Sequence, residues 1–377
     1  MTLDELRQRL DAVDVEIVRR VGERLTLIDQ VIEAKRREGR PLYDPSRERG
    51  VFDRVRAAAR AAGVPEGVAE DAFRVLLAES HRRQARAHAA LSAAEPGARR
   101  TVAIVGGTGA MGRFLGRVLE SLGHEVLAAS ESTALTPAEA AARADLTVVS
   151  VPIGVTVDVI RAVGPHVRPG CGLADLTSLK AGPVRAMLEA TERSGADVVG
   201  AHPLFGPGVP DLNRQVVVLC PGRGERWAAW LRAALEGQGA VVRVTTPEEH
   251  DRLMAVIQVL KHMETIAFGR CLAALGVDTR RTLEYTSPVY RLELALVGRI
   301  FSQSPDLYAE IAMGNPESPA MADAFERTVR ELADEVRRGD RERFVARFAE
   351  VARALGGFKG EATAESDYLI RKLVERA

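Results

Sequence analysis

A histidine followed by a proline, at the end of a short apolar run, is the first candidate for chemistry in this sequence. The stretch VVGAHPLFGP (198–207) places His202 between strand-forming residues and a turn rich in proline and glycine. A histidine titrates near neutral pH and can accept or donate a proton. A single histidine at a strand end more often only packs, so its role depends on what the rest of the chain brings to it.

A glycine-rich turn between an apolar strand and a helix is the second signal. The run TVAIVG (101–106) precedes GTGAMG (107–112) and then the helical stretch RFLGRVLESLG. This is the G-x-G-x-x-G pattern in its informative context, where glycines let the backbone approach a pyrophosphate at a helix N-terminus. The pattern predicts a dinucleotide site formed by Gly107, Thr108, Gly109, Ala110, Met111 and Gly112.

The end of the second predicted strand bears on which dinucleotide binds. An acidic residue there suits the ribose of NAD, whereas a nearby arginine accommodates the 2′-phosphate of NADP. Here Ser130 occupies that position, Glu131 follows, and no arginine lies close in the sequence. We therefore expect NAD, with NADP as the alternative. The third strand ends in Ser150, Val151 and Pro152, which we expect to line the adenosine side of the cleft.

Polar residues at helical spacing form a third group, within the first ninety residues. Arg24 and Lys35 are eleven residues apart and share a helix face, and so do Ser80 and Gln84 at i, i+4. Long side chains on such faces can converge on a small anion. Arg7 lies roughly 25 Å from Arg24 along a straight helix, so it reaches the same ligand only from another chain. The alternative is a solvated charged helix. Three further members of the group are Asp44, Arg47 and Glu48.

Three segments must position these residues. Apolar residues recur every three or four positions from Leu3 to Ile32, which predicts a long helix. Two more helices, at about 48–61 and 67–94, complete an all-α domain at 1–92. After a linker at 93–100, seven short apolar runs separated mostly by helical stretches predict a Rossmann-type α/β domain at 101–246. Strand signals end there, and 247–377 is predicted to be an all-α domain.

Composition excludes several classes of function. The 377 residues include 52 basic and 52 acidic side chains, so no global charge favours nucleic acid or an anionic membrane. The start does not resemble a signal peptide, and no apolar run approaches the roughly 20 residues that span a bilayer. Cys171, Cys220 and Cys271 are scattered and odd in number, which indicates reduced cysteines of a cytoplasmic protein and no zinc site.

The N-terminal segment resembles the all-helical chorismate mutases. The resemblance rests on LRQRLDAVDVEIVRRVGERLTLI, YDPSRE and ESHRRQ. In that family three helices per chain intertwine as a dimer, and an arginine of the first helix crosses to the partner's site. The resemblance implies that Arg7, Arg24 and Arg47 bind the two carboxylates of chorismate. It also implies that Lys35 and Gln84 donate to the ether oxygen, that Glu48 holds the ring hydroxyl, and that Asp44 and Ser80 support the site.

The remainder of the chain resembles the prephenate dehydrogenases, most specifically in DLTSLKAGP, AHPLFGP, EHDRLMAVIQVLKH and SPVYRLELALVGRIF. The resemblance implies that His202 is the base for the substrate hydroxyl and that Ser178 orients its ring. It implies that Arg299 binds the ring carboxylate and that His262 contacts the substrate. Weaker candidates for the same pocket are Arg291, Gln258 and Tyr308. The C-terminal helices are expected to dimerise.

Together the two resemblances imply a bifunctional enzyme of tyrosine biosynthesis. It would convert chorismate to prephenate and then, with NAD, prephenate to 4-hydroxyphenylpyruvate, as a homodimer for which tyrosine is a candidate effector. Three alternatives stay open. The substrate is the 4-amino analogue of chorismate and prephenate, or it is arogenate, or the N-terminal domain is a non-catalytic dimerisation or tyrosine-sensing module.

Overall fold

The N-terminal helices and the sheet fall in one compact unit, and the C-terminal helices fall in another. The computed structural model describes residues 1–38, 45–92 and 99–375. The first unit comprises Met1–Val151, Val155–Thr177 and Gly182–Thr246. The second comprises Pro152–Gly154, Ser178–Ala181 and Pro247–Ala377. Two short segments of the strand–helix connections thus group with the C-terminal helices.

Three helices form the N-terminal part: α1 (Leu3–Arg37), α2 (Pro45–Ala61) and α3 (Glu66–Ser92). The second helix begins three residues earlier than predicted, because a proline suits the first helical turn, where its missing N–H costs nothing. Buried residues in α1 and α2 include Ile32, Val55 and Ala59. The first half of α1, by contrast, exposes its apolar stripe to solvent, at Leu3, Leu6, Leu10, Val13 and Ile17.

A seven-stranded sheet forms the core of the first unit. Its strands are β1 (Thr101–Val105), β2 (Glu125–Ala129), β3 (Leu146–Val149), β4 (Gly172–Asp175), β5 (Asp197–Pro203), β6 (Val216–Arg223) and β7 (Val241–Val244). Their order is β2-β1-β3-β4-β5-β6-β7. All neighbours are parallel except β5 and β6, which are antiparallel. The seven predicted strands and the mostly parallel sheet are confirmed.

Helices connect most of the strands: α4 (Ala110–Ser121), α5 (Pro137–Arg143), α6 (Ile153–Val163), α7 (Ala181–Ala190) and α8 (Arg226–Gly237). The strands are apolar because both faces of a parallel sheet are covered. On one face, β-strand residues such as Ile104 and Leu219 pack with Phe114 of α4 and Trp227 of α8. On the other, Val149 and Leu173 pack with Ile160 of α6 and Met187 of α7.

The second unit is helical, as predicted. Its main helices are α9 (Pro247–Met254), α10 (Lys261–Ala274), α11 (Thr279–Glu284), α12 (Pro288–Phe301), α13 (Pro305–Gly314), α14 (Ser318–Arg338), α15 (Arg341–Leu355) and α16 (Phe358–Glu375). A π-helical segment, Ala255–Leu260, joins α9 to α10. Prolines begin α9, α12 and α13, and Gly339, with a φ of 65°, ends α14. Within the described ranges, no helix combines the length and apolar character needed to cross a membrane.

Candidate active sites

Arg24 and Ser80 form the centre of the candidate mutase site. The Arg24 Nη1 donates to Ser80 Oγ at 3.0 Å and to the carbonyl oxygen of Leu76 at 3.3 Å. Ser80 is 2% exposed and itself donates to the Leu76 carbonyl at 2.8 Å. Burial lowers the pKa of Arg24, although the guanidinium stays charged at any physiological pH. The pair gives a fixed cation whose remaining donors are available to an anion.

Other residues of the predicted mutase site lie on the same helices. Lys35 is half-buried two turns beyond Asp29 on α1, and Gln84 is half-buried one turn after Ser80 on α3. Arg7 is exposed, with its guanidinium 3.6 Å from Asp4 on the same helix. Because α1 is continuous from Leu3 to Arg37, the predicted separation of Arg7 from Arg24 stands. Asp44 lies outside the described residues, as do the side chains of Arg47 and Glu48.

At Gly106 and Gly112 of this turn the backbone leaves no room for a Cβ atom. Gly106 has a φ of 84°, and a Cβ there would lie 2.2 Å from the carbonyl oxygen of Ser150. A Cβ on Gly112 would lie 2.5 Å from the Gly106 oxygen. The backbone segments around the turn therefore approach each other as closely as the G-x-G-x-x-G motif requires. The sequence pattern predicts Gly107 to Gly112 as the cofactor turn, whereas the left-handed conformation of Gly106 is visible only in the structure.

The surroundings of this turn suit a pyrophosphate. Helix α4 begins after Gly109 with no side-chain cap, and Thr108, Gly109 and Ala110 are exposed. An uncapped helix N-terminus carries free N–H donors and the positive end of the helix dipole. Strand β1 lies between β2 and β3, so the turn is at the point where the strand order reverses. That switch point is the usual ligand crevice of such sheets.

The ends of β2 and β3 line the same crevice. Ser130 is half-buried after β2, and its Oγ lies 3.0 Å from Ser132 Oγ, while Glu131 is exposed. The backbone N–H of Ser150 donates to the carbonyl oxygen of Val105 at 2.8 Å, which extends the pairing between β1 and β3. Val151 is half-buried. Pro152 groups with the second unit, so its predicted part in the cleft stays a prediction.

His202 is buried near the end of β5, 3% exposed. It pairs with Val218 of the antiparallel strand β6. Phe205, three residues later, packs edge-on against Phe114 of α4, with ring centroids 5.7 Å apart. His202 is therefore held by strand pairing with β6 on one side and by the packed turn that follows it in the sequence. Ser178 is half-buried after β4 and belongs to the second unit, so its hydrogen bond to His202 stays a prediction.

A pocket histidine and a tyrosine meet in the second unit. The rings of His262 and Tyr308 are edge-to-face, with centroids 4.7 Å apart. Burial, and to a lesser degree the charge of Lys261, lowers the pKa of His262. Its Nδ1 is buried without a hydrogen-bond partner among the described residues. Burial raises the pKa of Tyr308, and the positive charge of Arg299 acts in the opposite direction.

The other predicted residues of this pocket lie on neighbouring elements. Arg291 and Arg299 are both exposed and both on α12, eight residues apart. The exposure of Arg291 excludes a buried ion pair for it. Gln258 lies in the π-helical segment just before α10, the helix that carries His262. Segments of this kind often occur at functional sites because they alter the direction of a helix face.

A buried aspartate that was not among the predicted site residues organises the loop around Ser178. Asp251 of α9, 2% exposed, accepts from the backbone N–H groups of Lys180 and Ala181, both at 2.9 Å. Burial works to raise the pKa of Asp251, but the hydrogen bonds from His250 and from these N–H groups outweigh it, and the pKa is lowered. Asn315 Nδ2 donates to the Asp251 carbonyl at 2.8 Å. The signal available in the sequence was the acidic residue inside EHDRLM.

Comparison with known proteins matches each part of the chain. The family described as "Chorismate mutase type II" matches residues 6–85. "Prephenate dehydrogenase, nucleotide-binding domain" matches 125–244, and "Prephenate dehydrogenase, dimerization domain" matches 246–350. The T-protein of Haemophilus influenzae is 33% identical over 370 residues, 98% of this chain and 97% of that one. The T-protein of Enterobacter agglomerans is 35% identical over 369 residues, with the same coverage. The chain belongs to the T-protein family.

The T-protein assignment confirms the predicted class of enzyme and both of its activities. One chain carries a chorismate mutase domain and a prephenate dehydrogenase, the bifunctional arrangement of tyrosine biosynthesis. A solved prephenate dehydrogenase from A. aeolicus, in complex with hydroxyphenyl propionate and NAD+, superposes with a TM-score of 0.56 at 19% identity. The match covers 67% of this chain and 96% of that one, and at this identity it supports the fold alone.

The matched nucleotide-binding segment of this T-protein family member begins at residue 125, after the glycine turn. The assignment of residues 106–112 to the cofactor therefore rests on the geometry of the turn and on the switch point.

Among the residues with described positions, no three histidine, cysteine or acidic side chains cluster as a metal site would need.

Proposed function

We propose that one chain converts chorismate to prephenate at its N-terminal helices and then, with NAD+, oxidises prephenate to 4-hydroxyphenylpyruvate at its sheet. One observation carries the second half of the proposal. His202 lies near the carboxyl end of β5, and the glycine turn follows the carboxyl end of β1 in the same parallel set. Parallel strands end at one edge, so the base and the cofactor cradle share that edge, three strands or roughly 14 Å apart.

The mutase reaction does not need a chemically reactive group from the protein. It is a unimolecular rearrangement that breaks one C–O bond and forms one C–C bond, so no nucleophile or cofactor is needed. The protein lowers the barrier by holding the reactive conformer and by stabilising charge on the ether oxygen. We assign the carboxylates to Arg24, Arg47 and Arg7, and the ether oxygen to Lys35 and Gln84. Glu48 holds the ring hydroxyl, and Asp44 and Ser80 support these side chains.

Prephenate oxidation needs a base at the ring hydroxyl. NAD+, when bound, accepts the hydride from C4 of the ring. His202 takes the hydroxyl proton as the C4–O bond becomes a carbonyl. The ring carboxylate leaves as CO₂, its bonding electron pair makes the ring aromatic, and the resulting phenolate oxygen takes a proton back to give the phenol of the product. A buried imidazole at the strand end suits this role, because its position is fixed before the substrate arrives. Ser178 is assigned to the second ring nitrogen, which sets the tautomer.

The dianionic substrate needs cations and donors from the second unit. Arg299 of α12 is exposed and is assigned to the ring carboxylate. His262, whose Nδ1 has no partner among the described residues, is assigned to a direct substrate contact. A neutral imidazole donates or accepts there without adding charge. Arg291, Gln258 and Tyr308 are assigned supporting roles in this pocket.

A homodimer completes the mutase site. The exposed apolar stripe of the first half of α1 is the surface that an intertwined partner helix would cover. Arg7 on that stretch then reaches the site of the partner chain. Mixing Arg7→Ala with Arg24→Ala chains tests this arrangement. Each homodimer should be nearly inactive as a mutase. After random exchange of subunits, about half of the dimers are heterodimers with one intact site each, so about a quarter of the wild-type sites should be restored. No recovery after subunit exchange would contradict a shared site.

Product analysis tests the proposed function as a whole. Purified enzyme given chorismate alone should yield prephenate, and with NAD+ it should yield 4-hydroxyphenylpyruvate, CO₂ and NADH. Parallel reactions with NADP+, with arogenate and with the 4-amino analogue decide the cofactor, the keto or amino group of the side chain, and the substituent at C4. Faster turnover of either alternative substrate would overturn the substrate assignment. Adding tyrosine to the same assays tests it as an effector, and unchanged rates would exclude that role.

A further inference from the structure

An ion pair joins α3 of the mutase part to the loop between β5 and β6. Arg82 Nε donates to Asp211 Oδ2 at 2.7 Å, across 129 residues of sequence. Arg82 Nη1 also donates to Glu79 Oε2 of its own helix at 3.1 Å. Beside this pair, Asn213 Nδ2 lies 3.5 Å from His81 Nδ1. Two successive residues of α3 thus face two residues of one loop.

Hydrogen bonds fix the backbone of the loop around Asp211. The second carboxylate oxygen of Asp211 accepts from the backbone N–H of Asn213 at 3.0 Å, which closes a local turn. Arg214 has a φ of 60°, a left-handed conformation that a non-glycine residue adopts only when its surroundings enforce it. Its N–H donates to the Gly239 carbonyl at 2.8 Å. A side chain anchored here therefore constrains the backbone on both sides of it.

The same loop begins directly after the proposed base. It follows His202-Pro203, and Phe205 packs on Phe114. Leu212, next to Asp211, is 3% exposed and belongs to the same apolar cluster as Ala201, the residue before His202. A shift of the segment around Asp211 is therefore transmitted through packed side chains to the end of β5.

Helix α3 also carries residues of the mutase site. Ser80 and Gln84 lie two residues before and after Arg82, about 200° around the helix from it. One face of α3 thus serves the mutase site, and the opposite face holds the dehydrogenase loop. A helix packed on both sides has little freedom to release the loop.

We propose that Arg82 and Asp211 are positioning residues for the dehydrogenase reaction. The mutase helix fixes, through this ion pair, the loop that sets the position of His202. The inference rests on the assignment of His202 as the base under the proposed function. It assigns to the mutase part a role in the second reaction that requires no passage of substrate between sites.

Neutral substitutions in the full-length enzyme test the pair. Asp211→Asn keeps an acceptor for the turn and removes the charge, and Arg82→Gln removes the partner charge. Each should lower kcat/KM for prephenate about tenfold, since small misplacements of a reacting group have large kinetic costs. KM for NAD+ and the mutase kcat/KM should stay within about twofold of wild type. The double variant should be no worse than either single one, and Arg82→Lys should retain most activity.

Arg83→Gln is the matched control, because Arg83 is adjacent on α3 but pairs with Asp29 of α1 at 2.5 Å. It should leave prephenate oxidation unchanged. Unaltered dehydrogenase kinetics in Arg82→Gln and Asp211→Asn would overturn the proposal. So would losses that multiply in the double variant, or an equal fall in the mutase rate, which indicates general destabilisation. A wild-type enzyme that does not oxidise prephenate would instead refute the proposed function itself.

Discussion

The two candidate active sites differ in how they obtain their rigidity. The dehydrogenase edge of the sheet is preformed: His202 is 3% exposed, and the glycine turn closes to distances that exclude a Cβ at Gly106 and Gly112. In the candidate mutase site Arg24 is anchored by Ser80, while Arg7 and the apolar stripe around it are exposed. Strand pairing fixes neighbours by backbone hydrogen bonds, whereas a long helix needs side-chain packing from elsewhere. The first candidate site thus has a locally fixed histidine and glycine turn, whereas the first half of α1 leaves an apolar stripe uncovered.

Replacement of the proposed base should give the largest effect. His202→Asn keeps a polar side chain of similar size but cannot take a proton at neutral pH, so the dehydrogenase kcat should fall by about 10² to 10⁴. Chorismate conversion and NAD+ binding should be unchanged. Steady-state rates with prephenate and NAD+ measure the dehydrogenase kcat, and calorimetry measures the binding of NAD+. The exposed His166 gives the control, His166→Asn. Retained turnover in His202→Asn would return this histidine to a packing role.

Loss of the proposed ether-oxygen donor tests the other site. Lys35→Ala should lower the mutase kcat by about 10² to 10³, the usual cost of one donor at a developing charge. Oxidation of added prephenate should continue at the wild-type rate, because the sheet site is complete without Lys35. Arg37→Ala, an exposed change one half-turn further along α1, serves as the control. If the wild-type enzyme has no mutase activity, or if Lys35→Ala leaves that activity unchanged, the N-terminal part is a non-catalytic module.

A smaller effect is expected from the substrate arginine of the second unit. Arg299→Ala should raise KM for prephenate at least about tenfold, the cost of a charge-assisted contact to a carboxylate. KM for NAD+ should change little, because the glycine turn belongs to the first unit. The exposed Arg270 of α10 provides the control, Arg270→Ala. Equal increases in both KM values would count against a carboxylate role.

The smallest effect concerns the pH dependence of stability. Burial lowers the pKa of His262 below its ordinary value near 6.5, so the unfolded chain binds this proton more readily than the folded one. The stabilising contribution is thus present above about pH 6.5 and is lost as the pH falls through the folded pKa. Thermal unfolding of His262→Gln should be less sensitive to pH between about 7 and 5 than the wild type. His166→Gln should retain the wild-type dependence, and identical curves for both variants would refute the assignment.

Much of the fold followed from local pattern. The apolar runs predicted all seven strands, and the three-and-four spacing from Leu3 to Ile32 predicted α1. The start of α2 was predicted less accurately: the helix begins at Pro45 and not at Glu48, because the residues just before Glu48 carry no periodic signal. The π-helical turn at Ala255–Leu260 had no sequence signature, since its apolar pattern is that of an ordinary helix.

The sequence by itself determined the types of residue available: a glycine fingerprint after a strand, a histidine before a proline, and polar pairs on helix faces. These depend on spacing along one chain, which local geometry translates directly. Tertiary structure decided which of them meet. It brought Arg24 to Ser80 across two helices, His262 to Tyr308, Asp251 to the loop of Ser178, and Arg82 to Asp211. Such pairs join residues far apart in sequence, and only the packing of apolar faces fixes their distances.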